Sequence, residues 1–251
     1  MSSDPNEAIE KYPLCSLAPV LRKFQPPVGP FDPAGSWRQT YGVYTLAGRT
    51  PAARRVGVLR LRRSVGDNRD VTLKVEYGKT LTGGSQQVTG ELHSRIGSTL
   101  STPGQWTFET KSLDAAGKVI PRTQMSRSAV FRDGAVTIKD AMETKTIPVA
   151  GAYTVNWSLF DAIQRLGGEK AGPLEFTLID HFDQPKGSQR LSFRGKMGVT
   201  VAGGGTIRTL AWDHLGDANV PWVYWLDERG RLLFIVAGLE AYVLESSKQA
   251  Q

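Results

Sequence analysis

The sequence predicts a mostly β domain: an antiparallel curved sheet, or half-barrel, with one helix packed on its concave face. Three observations predict it. Apolar and polar residues alternate in many short runs, turn-forming residues separate those runs at hairpin spacing, and a single segment carries helical periodicity. Strands that follow one another without intervening helices argue against an α/β fold.

The first 35 residues hold half of the 14 prolines: Pro5, Pro13, Pro19, Pro26, Pro27, Pro30 and Pro33. Proline fixes φ and lacks a backbone donor, so residues 1–35 read as an extended N-terminal arm. Leu14, Leu17, Val20, Leu21 and Phe24 need cover, which places the arm on the domain, with a short helix over Leu17 to Phe24. Residues 36–246 read as a single β domain and 247–251 as a tail.

Within that domain Val71, Leu73, Val75 and Tyr77 alternate with Thr72, Lys74 and Glu76, the period-two mark of a half-buried strand. The same pattern recurs at Gly57/Leu59/Leu61, Trp106/Phe108, Val136/Ile138, Phe176/Leu178, Leu191/Phe193 and Trp222/Tyr224/Leu226. Gly66-Asp67-Asn68, Gly83-Gly84-Ser85, Pro103-Gly104 and Arg229-Gly230 punctuate these runs. Asp133-Gly134 sits between Ala129-Val130-Phe131 and Ala135-Val136-Thr137, the composition of a tight hairpin.

Residues 156–167 break the pattern. Leu159, Ile163 and Leu166 share one helical face. Ser158 and Asp161 have the spacing of an approximate capping box, and Arg165 and Gly167 read as stop signals. The concave side of a curved sheet is where such a lone apolar face would be buried.

The net charge is +7 and the pI near 9.6. The first 35 residues are slightly acidic, so the basic surplus lies beyond them, densest at Arg54, Arg55, Arg60, Arg62 and Arg63. No zinc-finger spacing, RNA-binding aromatic signature or basic helix accompanies it, so nucleic acid is not the expected partner. One cysteine, Cys15, excludes an internal disulfide. No apolar run approaches the roughly 18–20 residues of a membrane span. The opening Met-Ser-Ser-Asp-Pro is not a secretory signal, so the chain reads as cytoplasmic as written, and as periplasmic or exported if a signal was removed.

Chemistry must draw on three histidines, His93, His181 and His214. Asp180-His181-Phe182-Asp183 would place His181 and Asp183 on one strand face, and Asp180 on the apolar face of Phe176 and Leu178. A carboxylate there is costly unless paired, so Asp180 needs a partner. Leu210, Trp212 and His214 share a face. The candidate catalytic set is therefore Asp180, His181, Asp183 and His214, acting by general acid–base chemistry. A histidine on a strand is ordinarily hydrogen-bonded or solvated, so no metal is expected, and Glu91, His93 and Arg95 read as a polar face. Gly203-Gly204-Gly205 lacks nucleotide-loop spacing, and no organic cofactor is expected. Trp157, Trp212, Trp222 and Tyr224 are the candidate lining of an aromatic cavity under the helix.

The order of elements is that of a Trp37-to-Val43 opening strand, hairpins, a helix from Trp157 to Leu166, then "LEFTLIDHF", "QRLSFRG" and the closing run from Pro221 to Leu233. It resembles a bacterial family of β half-barrel proteins of unassigned function, distantly similar to lipoprotein-carrier half-barrels. That resemblance implies a concave cavity for a lipid or other hydrophobic molecule. The alternatives are a cofactor-free enzyme using the Asp/His groups in the same cavity, and a structural subunit docking through its basic face and residues 1–35.

Overall fold

The computed structural model describes residues 14–46, 53–167, 171–180 and 183–250. One sheet of fifteen strands dominates it. The first limb runs outward in chain order: β1 (Trp37–Thr45), β2 (Arg54–Val65), β3 (Asp70–Leu81), β4 (Gly84–Arg95), β5 (Gln105–Asp114), β6 (Met125–Arg132), β7 (Ala135–Lys139) and β8 (Thr144–Pro148). The second limb comprises β9 (Tyr153–Val155), β10 (Leu174–Asp180), β11 (Gln184–Thr200), β12 (Thr206–Leu215), β13 (Trp222–Leu226), β14 (Leu232–Ala237) and β15 (Glu240–Gln249). The limbs join where β1 pairs with β15, so β1 lies mid-sheet and β8 and β9 form the two ends of a curved, unclosed surface. Among the described residues every ladder is antiparallel except β9–β10, which is parallel.

The alternation sets the register. In β3, Val71, Leu73 and Val75 are buried while Lys74 and Glu76 are exposed. Leu61 lies across from Val75 and Leu59 across from Tyr77, so the inward face continues from strand to strand. The Asp133-Gly134 hairpin forms as read: both residues have positive φ, 52° and 75°, the geometry of a type I′ turn.

The helix α2 (Asn156–Ala162) continues into a 3₁₀ turn, Ile163–Arg165, and stops at Gly167 with φ 71°. Leu159, Phe160 and Ile163 are buried on the concave side. The capping box is corrected. The N-cap is Val155, without a side-chain cap, and the helix starts two residues before Ser158. Asp161 turns inward to meet Arg63 Nε at 2.8 Å and Arg165 Nη2 at 3.3 Å, and it accepts a hydrogen bond from Ser101. Arg63 thus leaves the surface basic run; it is 2% exposed, and burial pulls its pKa down while Asp161 holds it up.

The arm carries a 3₁₀ turn, Leu14–Leu17, and a short helix α1 (Ala18–Leu21) with Pro19 in its first turn, where the missing N–H costs nothing. Leu14, Leu17, Leu21 and Phe24 are buried, and the Phe24 ring meets Phe234 edge-on at 4.7 Å. Arg231 fastens the following segment, donating to the carbonyls of Pro27 (3.0 Å) and Gly29 (3.1 Å) beneath the Phe31 ring. At the far end the sheet continues past residue 246, where the sequence suggests a tail: β15 reaches Gln249, opposite Trp37.

Candidate functional site: an aromatic cleft between the two limbs

A cleft of about 530 Å³ opens on the concave side. From the first limb, β3 contributes Tyr77 and Lys79, and β4 contributes Gln86 and Val88. From the second, Trp222, Ala237, Glu240 and Tyr242 follow one another across β13, β14 and β15, with Trp222 paired to Ala237 and Ala237 to Glu240. Asp180 and Lys186 come from β10 and β11, and Asn156 and Trp157 from the first turn of α2. Trp157 lies 5.5 Å from Tyr77, centroid to centroid. The Phe160 ring sits behind them, 5.6 Å from Trp157, 5.4 Å from Tyr242 and 6.4 Å from Trp222.

Two carboxylates punctuate this apolar wall. Glu240 gathers three donors: Tyr77 OH at 3.1 Å, Tyr242 OH at 3.0 Å and Lys79 Nζ at 3.0 Å. Burial, reinforced by the Glu240 charge, raises both phenols above their usual range, so they remain protonated donors. On the other side Asp180 accepts from Asn156 Nδ2 and pairs with Lys186 Nζ. These are the partners that a carboxylate on an apolar face requires.

His214 stands behind Trp222, its cross-strand neighbour on β13. It is 1% exposed, and its ring lies 5.5 Å from Phe176 and 6.4 Å from Trp222. Gln189 Nε2 donates to the carbonyls of Gly187 and Asp217, which turns its Oε1 toward His214 Nε2 at 3.0 Å; the Asn219 amide nitrogen lies 3.5 Å from the same ring nitrogen. Nδ1 is buried without a partner among the described residues. Burial pushes the pKa down to about 4; Asp180 opposes the shift and Lys186 adds to it, so the ring is neutral near pH 7.

Of the residues the sequence singled out, Trp157, Trp222 and Asp180 line the cleft, and His214 lies next to it. Trp212 and Tyr224 face each other across β12 and β13, both fully buried, and do not line it. Asp183 is drawn elsewhere: Arg127 Nη1 contacts its carboxylate at 2.9 Å and Lys145 Nζ donates to its carbonyl, tying β6 and β8 to the β10–β11 turn. His181 lies outside the described residues. His93 sits beside Glu91 at 3.1 Å on the outward face of β4. Among the described residues no cluster of three or more His, Cys, Asp or Glu is placed to hold a metal. Sequence reasoning missed Tyr77, Lys79, Glu240 and Tyr242. The signal for Lys79 was present: period two puts it on the same face as buried Val75, which calls for a buried partner just as Asp180 did.

No protein-family model matches the chain, and no curated protein matches it in sequence. Among solved structures it is similar to the crystal structure of a β-barrel-like protein of the domain of unknown function DUF1849 from Brucella abortus. The TM-score is 0.58 at 10% identity, covering 86% of this chain and 98% of that one. The likeness is one of fold. It bears out the resemblance to a bacterial β half-barrel of unassigned function. No helix among the described residues is long and apolar enough to cross a membrane.

Proposed function

We propose that this protein is a binding module that holds an apolar small molecule or lipid-type ligand in the concave cleft. One observation carries the reading: a cleft of about 530 Å³ walled by Tyr77, Trp157, Trp222 and Tyr242, with a few convergent polar groups. Ligand sites are characteristically built this way, at volumes of roughly 300–1,000 Å³. The enzyme alternative has less support, because Asp180 is engaged by Lys186 and Asn156, and His214 is buried behind Trp222.

The test uses the neutral probe N-phenyl-1-naphthylamine, followed by fluorescence. The protein should bind it saturably at a single site, and Trp222→Ala should weaken binding by about tenfold while thermal unfolding stays cooperative. A protein that shows no saturable binding, or a Trp222→Ala variant that binds as tightly as the parent, would overturn the reading.

A further inference from the structure

The described residues lining the cleft include four charged groups, and they cancel: Lys79 with Glu240 on one side, Lys186 with Asp180 on the other. Both pairs are substantially withdrawn from water. Side-chain exposures are 30% and 24% for the first, 19% and 7% for the second. Glu240 on β15 and Lys186 on β11 are four positions apart in the strand order, with Trp222 on the intervening β13.

A partly desolvated cleft whose described charges cancel discriminates by charge. A ligand head with one net charge gives up hydration on entering and finds no opposite net charge to replace it. A head carrying both signs loses less, because each end meets its complement. Each lysine ammonium has three donors, of which its carboxylate engages one in the structure, leaving capacity for a second anion. Indole and phenol faces attract a cation, most strongly when water is excluded.

We infer that the cleft selects a zwitterionic amphiphile: an apolar chain or ring system bearing a head with one cationic and one anionic group. The cation lies against the Trp157, Trp222 and Tyr77 faces near Glu240, and the anion lies toward Lys186. This rests on the cleft being a ligand site at all.

The experiment is calorimetric titration of the full chain with three amphiphiles sharing a twelve-carbon tail, each below its micelle concentration: dodecylphosphocholine, dodecanoate and dodecyltrimethylammonium. The zwitterion should bind at least about tenfold more tightly than either singly charged probe. Two variants sharpen it in opposite directions. Glu240→Gln leaves the cleft one charge positive and should shift preference toward dodecanoate. Lys79→Met leaves it one charge negative and should shift preference toward dodecyltrimethylammonium. Equal affinities for all three, or tightest binding of a singly charged probe by the parent, would overturn the charge inference while leaving the apolar cleft intact. Failure of all three, together with failure of N-phenyl-1-naphthylamine, would overturn the cleft reading itself. If either variant loses cooperative unfolding, the other still decides the direction of the shift.

Discussion

The two limbs of the sheet are built from the same strand chemistry and buried differently. In β3 buried residues alternate with exposed ones, so one face meets the core and the other meets water. In β14 all six residues, Leu232 to Ala237, are buried. The difference is the arm. Pro19, Val20 and Phe24 line a groove with Tyr44 and Val243 on the outer side of the sheet, and Phe24 reaches Phe234. A sheet wetted on one face writes alternation into its sequence; one covered on both writes a continuous apolar run. The proline-rich leader and the run Leu232-Leu233-Phe234-Ile235-Val236-Ala237 are therefore two halves of one structural fact.

Three tests break or sharpen that contrast. The largest effect is expected at Trp225, which is fully buried and shares the outer face with its cross-strand neighbour Phe234. Trp225→Ala should cost about 3–5 kcal/mol in chemical denaturation. Arg60→Ala, on the outward face of β2 with a side chain 58% exposed, should stay within about 0.5 kcal/mol. Equal losses would show that the two outer faces are not differently covered.

The second concerns pH. Burial pushes the pKa of His214 down to about 4, against an ordinary value near 6.5. Between these values the unfolded chain takes up the proton that the folded ring resists. Stability is therefore fully present above pH 6.5 and falls as pH drops through the window, by roughly 3 kcal/mol at most. His214→Gln should flatten this part of the stability–pH curve; an unchanged slope would mean that burial behind Trp222 does not hold the ring neutral. The smallest effect is the coupling between Phe24 and Phe234. A double-mutant cycle to alanine should give about 0.5–1.5 kcal/mol, and zero coupling would detach the arm from β14.

Much of the architecture was legible because it is local. The β3 alternation, the Asp133-Gly134 turn and the Leu159/Ile163 face each depend on residues within a few positions of one another. So did the need of Asp180 for a partner, which follows from its strand phase alone. The cleft was only half legible. Trp157 and Trp222 stood out by type, whereas Tyr77, Lys79, Glu240 and Tyr242 matter through convergence of β3 and β15, strands distant in sequence. Trp212 and Tyr224 looked equivalent to Trp222, but strand phase gives a side and not a depth, and both lie in the closed interior. Asp161 misled because its spacing from Ser158 satisfies a capping rule, while the buried guanidinium that claims it comes from β2.

The position of β1 in the middle of the sheet has a kinetic corollary. Apart from the parallel β9–β10 pair, each limb grows by antiparallel pairing of successive strands, contacts that form quickly. The joint between the limbs pairs Trp37 with Gln249, about 200 residues apart in sequence, the kind of long-range closure that slows folding. During synthesis the eight strands of the first limb emerge well before β15, and until it arrives β1 presents an open edge along Trp37–Thr45. The central seam of the finished sheet is thus its last-made part, and the growing chain is most prone to mispair there.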